Sequence, residues 1–202
     1  MKTSYPGKTL HYHPFPSLIT DSISNGVKIC PEISDLKNYI LFFGNIDQYK
    51  GVDLLYNTFR DNQNLSGHKL VIAGNGNLYF PHVKDSRTLF INRYIKDEEV
   101  AMLFKRAACV VYPYISATQS GVLTLAYKFQ TPVLASDLPF FKENSTAYSC
   151  LFFKRTDKTD LSDKLEKLLF ETDSNRMKAA QKDFYEQNYS QEALTLSIES
   201  IY

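Results

Sequence analysis

The stretch that decides the fold is "ACVVYPYISATQSGVLTLAYKFQTPVLAS", residues 108–136. It begins and ends with short apolar runs, "ACVVYPY" (108–114) and "PVLAS" (132–136). Such runs are typical of strands that are buried on both faces of a parallel sheet. Between them, "SGVLTLAYKF" (120–129) has apolar residues at the spacing of one helix face, namely Val122, Leu125, Ala126 and Phe129. The stretch therefore predicts a strand, a helix and a second strand.

The same alternation extends to both sides of this stretch. Four more short apolar runs are "YILFFGNI" (39–46), "KLVIAG" (69–74), "TLFINRYI" (88–95) and "SCLFF" (149–153). Segments with helical periodicity, such as "GVDLLYNTFRD" with Val52, Leu55 and Phe59 on one stripe, lie between some of them. Strands that alternate with helices indicate right-handed crossovers. We therefore predict an α/β fold, a Rossmann-like doubly wound parallel sheet of about six strands with helices on both faces.

The two ends of the chain depart from this alternation. After residue 153, three amphipathic segments have capping residues near their starts, at Asp157, Asp173 and Ser190, which predicts a helical C-terminal extension. Residues 1–37 contain the proline-marked "HYHPFPSL" and are expected to be an irregular lead-in or interdomain connection. Residues 38–202 are then one domain.

Composition excludes several classes of protein. A net charge of +1 provides no global basic field for nucleic acid, and no nucleic-acid partner is expected. Three cysteines without a CxxC pair suit a reducing compartment, and no apolar run approaches the roughly 20 residues of a membrane span. We expect a soluble, cytoplasmic protein. The pair His11 and His13 could contact a metal, but a partly exposed loop pair is favoured, and no metal site is predicted.

Ligands of doubly wound sheets bind outside the carboxyl ends of the strands, so the strand ends are the candidate sites. In "FFGNIDQYKGVDLL", Gly44 permits a sharp turn, and Lys50 with Gly51 opens the next helix, which would form a phosphate site. The alternative is a solvated surface lysine at a helix start. "LVIAGNGN" (70–77) lacks the third glycine of a dinucleotide fingerprint and is interpreted as a tight turn.

A third strand end, "YISATQSG" (114–121), brings a polar cluster to the start of a helix. Its members are Ser116, Thr118, Gln119 and Ser120. These side chains can cap the helix, and they can also contact an anion at its positive end. Because four donors exceed what capping needs, we expect that one caps and that the excess favours contact with a diphosphate or a sugar.

In this order, these stretches resemble the C-terminal, donor-binding domain of family 4 glycosyltransferases, retaining enzymes of the two-domain GT-B fold. "ILFFGNIDQYKGVDLL" is similar to the family's "FxGRxxxxKGxxxL", and "KLVIAGNGN" is similar to its "LxIxGxGP". Residues 91–136 follow its helix, strand and helix pattern, which ends in "GxPVIAs". The resemblance covers roughly residues 38–155 and the helical tail. It implies that the chain is one half of a GT-B fold.

The resemblance also implies a site. Lys50 would bind the diphosphate of the donor, Tyr94 and Ile95 would meet the nucleotide base, and the start of the helix after the polar cluster would hold phosphate and sugar. The implied donor-binding residues are Gly44, Asn45, Lys50, Gly51, Tyr94, Ile95, Ser116, Thr118, Gln119, Ser120, Gly121 and Val122. Lys50 and Gln119 are the catalytic candidates. No cofactor or metal is expected, and the donor would be a UDP- or GDP-sugar.

The sequence departs from the family pattern in three ways. Asn45 replaces the arginine that accompanies the lysine, which removes a charge-assisted phosphate contact. The family's two glutamates would fall at Ala117 and Leu125, so both acids are absent. The chain also has room for only about one domain, so the N-terminal acceptor-binding domain is missing or separate. Alone, the chain should bind the donor but barely turn over.

The expected function is transfer of a sugar from a nucleotide-diphosphate sugar to a glycan or lipid-linked acceptor with retention. The expected process is surface polysaccharide or glycoconjugate biosynthesis, with peripheral association at the inner face of the membrane through the other domain. The alternative is a non-catalytic glycosyltransferase-like subunit or interaction module, which the missing glutamates and Asn45 favour. A NAD-linked oxidoreductase would require a fingerprint that "GNGNLY" does not supply.

Overall fold

The structure is a computed structural model that describes residues 19–83, 85–117 and 120–199. The strands of the described chain are β1 (Tyr39–Phe43), β2 (Leu70–Ala73), β3 (Thr88–Ile91), β4 (Ala107–Tyr112), β5 (Val133–Ser136) and β6 (Leu151–Phe153). Its helices are α1 (Asp21–Ser24), α2 (Val52–Asp61), α3 (Asp97–Arg106), α4 (Val122–Lys128), α5 (Pro139–Glu143), α6 (Lys158–Phe170), α7 (Ser174–Asn188) and α8 (Gln191–Glu199).

The six strands form one parallel sheet in the order β3-β2-β1-β4-β5-β6. The chain first builds outward from β1 to β3, and it then returns to the other side of β1 to lay down β4 to β6. This reversal places β1 and β4 side by side in the middle of the sheet, with Leu41 opposite Val110. The predicted doubly wound Rossmann-like sheet is confirmed.

The central strands are apolar because both faces of the sheet are covered. Every residue of β2 and β5 is buried, although successive side chains point to opposite faces. The edge strands β3 and β6 are only partly buried. The continuous apolar runs in the sequence therefore reflect double coverage of the sheet.

The helices bury the stripes that pack against this sheet, with one difference from the sequence pattern. In α2, Val52, Leu55 and Phe59 are fully buried, as predicted. In α4, the buried residues include Leu123, Ala126 and Tyr127, whereas the predicted stripe residues Val122, Leu125 and Phe129 are only partly buried. The reason is that α4 also packs against α7, so its buried surface is not centred on the stripe read from periodicity.

The helical C-terminal extension is confirmed and is fixed to the sheet by a buried amide. The side chains of Asp157 and Asp173 cap α6 and α7, and the Ser190 hydroxyl accepts a hydrogen bond from Ala193 N–H near the start of α8. The Gln181 side-chain amide in α7 donates to two backbone carbonyls, those of Thr131 and Ser149, at 3.0 Å each. These carbonyls lie just before β5 and β6.

Part of the predicted lead-in packs against the same domain. Residues 19–37 contain α1 and a 3-10 turn, Pro31–Ile33, and the Cys30 and Ile33 side chains are fully buried. The Arg93 guanidinium contacts the Glu32 carboxylate at 2.9 Å and the buried Glu99 carboxylate at 2.8 Å. The pair His11 and His13 lies outside the described residues.

Candidate functional site

The candidate site lies at the carboxyl ends of β1 and β4. These two strands are neighbours, but the connections that follow them lead to opposite sides of the sheet. A crevice forms at such a switch point, and it is the usual ligand site of doubly wound sheets. The segment 44–51 follows β1, and the segment 113–121 follows β4.

The two segments approach each other closely because residue 51 is glycine. Gly51 has a left-handed backbone with a φ of 63°, and a Cβ there would overlap the carbonyl oxygen of Pro113. The backbone N–H of Ile115 also donates to the Tyr49 carbonyl at 2.8 Å. The start of α2 is thereby held against the end of β4, which fixes the residue that precedes it, Lys50.

Lys50 is a buried cation without a carboxylate partner among the described residues. Its side chain is 8% exposed, and its Nζ lies 3.9 Å from the centre of the Tyr114 ring and 5.1 Å from that of Tyr49. Burial lowers the pKa of Lys50 to about 8, and the Asp47 carboxylate partly opposes this change. A desolvated ammonium held on aromatic faces is poorly compensated, so it favours an anionic ligand.

Gly44 and the start of α4 lie near Tyr114, whose ring contacts this lysine. A Cβ added at Gly44 would lie 3.8 Å from the Tyr114 hydroxyl oxygen and 3.9 Å from Cγ1 of Val122. The structure thus brings together four of the predicted residues, which are Gly44, Lys50, Gly51 and Val122. A ligand in this crevice can reach backbone as well as the lysine.

The polar cluster differs from its prediction in the described residues. The helix α4 starts at Val122, and neither Ser116 nor Ser120 accepts a hydrogen bond from its first turn among the contacts of the described chain. Gly121, the residue at the N-cap, already has helical dihedrals with a φ of −69°. The N-cap position, where a side-chain hydroxyl was expected, is therefore occupied by a glycine with helical backbone angles. Thr118 and Gln119 lie outside the described residues.

Tyr94 and Ile95 follow β3, which is separated from β1 by β2. The Tyr94 side chain is 71% exposed, and its hydroxyl donates to the Asp97 carboxylate at 3.3 Å. Ile95 is buried in the core, so its side chain is not available to a ligand. These two residues therefore follow a strand that is not adjacent to β1 or β4, the two strands whose carboxyl ends border Lys50.

Asn45 lines a cleft of about 470 Å³ between the segments that follow β1 and β2. Its polar lining consists of Asn45, Asp47, Gln48, Asn75, Asn77 and Tyr79. A parallel β-bridge joins Ile46 to Gly76 beside this cleft. The Asn92 side-chain amide also donates to the Gly76 carbonyl at 2.9 Å. Since no basic side chain lines this part of the described surface, the cleft suits hydroxyl groups better than phosphate.

Two further residues at the carboxyl end of the sheet were not predicted from the sequence. Tyr114, which follows the strand-ending Pro113, contacts Lys50 and faces Gly44. Arg155 follows β6, and its Nη1 donates to the Ile115 carbonyl at 3.1 Å. This hydrogen bond holds the chain just before the polar cluster. The only sequence signals were an aromatic residue and a basic residue just beyond strands. Within the described residues, no group of His, Cys, Asp or Glu could hold a metal ion.

The family described as "Glycosyl transferases group 1" matches residues 31–187. No curated protein sequence matches the chain significantly. Among the described residues, no helix is sufficiently long and apolar to span a membrane.

Several solved structures share the fold. Sucrose-phosphate synthase from Thermosynechococcus elongatus aligns with a TM-score of 0.66 at 18% identity, over 82% of this chain and 45% of that one. HepE of Anabaena, in complex with UDP and glucose, aligns with a TM-score of 0.66 at 12% identity, over 82% of this chain and 48% of that one. WaaG, a glycosyltransferase involved in lipopolysaccharide biosynthesis, aligns with a TM-score of 0.58 at 17% identity, over 83% and 47%. The chain spans less than half the length of each relative.

Proposed function

This chain belongs to the glycosyl transferases group 1 family, and from that premise we propose that it binds the nucleotide-diphosphate sugar donor of a retaining, family 4 glycosyltransferase. The sugar would pass to a glycan or lipid-linked acceptor. The single observation that carries the proposal is Lys50, a buried ammonium without a carboxylate partner among the described residues, at the switch point of the sheet.

Lys50 would act on the leaving group. When the bond between sugar and diphosphate breaks, negative charge develops on the phosphate oxygens, and a fixed cation nearby stabilises that charge. Because burial and the tight contact at Gly51 hold the lysine in place, little reorganisation is needed during the reaction. Gly44 and Val122 border the same space and would allow the diphosphate to approach closely.

The remaining donor contacts are proposed from the resemblance. The backbone around Tyr94 and Ile95 would meet the base, and Gln119 with Ser116, Thr118 and Ser120 would face the sugar. The HepE structures, which contain UDP, UDP-glucose or UDP with glucose, support UDP-glucose as the first donor to test. GDP-sugars are the next candidates. No metal has a role in this scheme, because Lys50 supplies the charge.

The acceptor would be bound mainly by a second domain. The chain spans less than half the length of its structural relatives, which supports the view that catalysis requires another domain in the same or a separate chain. We therefore propose that this chain alone binds the donor and barely transfers it. The lipopolysaccharide role of WaaG supports a place in surface glycoconjugate biosynthesis. Peripheral contact to the membrane through that other domain is proposed from the resemblance alone.

The second candidate function is a non-catalytic glycosyltransferase-like subunit. Three residues favour it: Asn45, Ala117 and Leu125 stand where the family pattern has an arginine and two glutamates. Such a subunit could keep the fold without binding the donor. Nucleotide binding therefore separates the two candidates.

Calorimetric titration of the chain with UDP, GDP, ADP and their sugar conjugates at low salt tests the proposal. We expect saturable binding of one nucleotide, and Lys50→Ala should weaken it about ten- to a hundredfold, as for loss of a charge-assisted hydrogen bond. Lys167→Ala, which removes the same charge from an exposed position of α6, is the matched control and should bind like the parent chain. A folded chain that binds none of these nucleotides would favour the non-catalytic subunit.

A further inference from the structure

The Tyr114 hydroxyl is a buried polar group with no hydrogen-bond partner among the described residues. Its side chain has no exposed surface. The Ser120 side chain lies near the phenol and partly opposes the effect of burial on its pKa, but the contact does not meet hydrogen-bond geometry. Buried hydroxyls are rarely left unpaired, because the lost hydrogen bonds to water are not replaced. An unpaired one at the edge of a candidate site therefore needs an explanation.

The hydroxyl lies at the strand end that borders the candidate site, close to Gly44. It would lie 3.8 Å from a Cβ built on Gly44, at ordinary contact distance, and the oxygen has almost no accessible surface in the unliganded chain. The Lys50 ammonium lies over the face of the same ring, 3.9 Å from its centre. A ligand oxygen that meets the ammonium is thus next to the phenol.

The Tyr114 ring cannot readily turn away from this position. It packs against Phe141 with ring centres 5.3 Å apart and against Tyr112 at 5.8 Å, and Tyr49 borders it at 6.4 Å. All of Tyr112 and Phe141 is buried with it. A side chain fixed by packing presents its polar atom in a preset direction, as a binding group requires.

The phenol can act only as a donor or a neutral acceptor at physiological pH. Burial raises the pKa of Tyr114 well above that of a solvated tyrosine, so the proton stays on the oxygen. An O–H group beside a lysine complements a phosphate oxygen, because both groups donate and the phosphate only accepts.

We propose that Tyr114 is a further donor-binding residue, whose O–H donates a hydrogen bond to an oxygen of the diphosphate that Lys50 binds. This inference rests on the proposed function. It would replace one of the contacts that are lost with the arginine, since Asn45 stands at that position. Tyr114 thus has two roles, because its ring face holds the lysine and its hydroxyl binds the ligand.

Tyr114→Phe tests the inference, because it removes only the hydroxyl. We expect the affinity for the nucleoside diphosphate and for inorganic pyrophosphate to fall about tenfold, as for loss of a hydrogen bond to a charged group. Affinity for the nucleoside without phosphates should not change. The melting temperature of the free chain should stay the same or rise, since an unpaired buried hydroxyl is removed.

Tyr39→Phe is the matched control. The Tyr39 hydroxyl is also buried, but it donates to the Leu103 carbonyl at 2.7 Å, near the opposite end of β1. This variant should lose thermal stability and keep the affinity of the parent chain. Tyr114→Phe is therefore expected to lower the affinity without lowering the melting temperature, whereas Tyr39→Phe should lower the melting temperature without lowering the affinity.

The outcomes separate the inference from the proposed function. If the parent chain binds no nucleotide, the proposed function fails, and the inference fails with it. If the parent chain binds through Lys50 and Tyr114→Phe binds equally well, only the inference is overturned. It is also overturned if Tyr114→Phe loses affinity together with thermal stability, or fails to fold, because the hydroxyl would then have a structural role.

Discussion

At the residue scale, burial and charge oppose each other at Lys50. Burial lowers the pKa to about 8, so the unliganded chain holds the ammonium in an environment that disfavours it. A bound diphosphate supplies opposite charge beyond the partial effect of Asp47 and must raise this pKa. By linkage, ligand binding and protonation of Lys50 then strengthen each other. Without a ligand, the buried ammonium destabilises the folded chain relative to an uncharged group at the same position. A bound diphosphate offsets this destabilisation.

This linkage predicts the pH dependence of donor binding. The affinity for a nucleotide-diphosphate sugar should be nearly constant below the Lys50 pKa of about 8 and should decrease as the pH rises above it. From pH 7 to pH 9 the expected decrease is about tenfold, because each pH unit above the pKa removes a factor of ten in the protonated fraction. Calorimetric titrations at both pH values measure it.

Lys50→Arg is the control for this pH dependence. Because a guanidinium remains protonated throughout this range, whatever affinity the variant retains should not change between pH 7 and pH 9. Equal affinities of the parent chain at the two pH values would mean that Lys50 does not meet the diphosphate. A pH dependence that persists in Lys50→Arg would assign it to another group.

At the element scale, the site depends on the close contact between the start of α2 and the end of β4. Gly51→Ala should place a methyl group against the Pro113 carbonyl in a left-handed backbone. We expect a loss of about 3 kcal/mol or more in the free energy of unfolding, since strain and overlap combine. Donor affinity should also fall, because Lys50 is the preceding residue.

Gly67→Ala is the matched control at this scale. No atom lies within 4 Å of a Cβ built there, so its unfolding free energy should change little, by about 0.5 kcal/mol or less. Denaturant unfolding of both variants measures the difference. If Gly51→Ala were as stable as Gly67→Ala, the two segments would not be in the tight contact that positions the lysine.

The helices and strands could largely be predicted from the sequence, because short continuous apolar runs in a chain of this length are compatible with few structures other than buried strands. The run "YILFFGNI" correctly marks β1, although the strand ends at Phe43, before the turn at Gly44. The buried surface of α4 was not fully predicted, because it is also set by α7, which is distant in sequence. Periodicity reports one amphipathic face and cannot reveal a second packing partner.

The candidate site was predictable only in part, for related reasons. Lys50 and Gly44 follow from the rule that ligands meet strand ends. Tyr114 was missed because an aromatic residue after a strand is typical of core packing, and only the three-dimensional contacts reveal an unpaired hydroxyl. The hydroxyl cap of α4 was not found among the described residues, because Gly121 takes the helix start.

At the scale of the whole molecule, the strand order places the candidate binding residues at the carboxyl ends of the two central strands. The reversal between β1 and β4 brings the segments 44–51 and 113–117 together, although they are far apart in sequence. The opposite ends of these strands contribute buried contacts such as that of Tyr39 with Leu103. The family match and the coverage of less than half of each relative's length are consistent with the proposed donor-binding role.

The most direct measurement is a crystal structure of this chain with the nucleotide-diphosphate sugar that calorimetry selects. We predict the diphosphate in the crevice between β1 and β4, with phosphate oxygens within hydrogen-bond distance of Lys50 Nζ and the Tyr114 hydroxyl. A nucleotide bound elsewhere, with Lys50 still buried against its two tyrosines and free of the ligand, would contradict it.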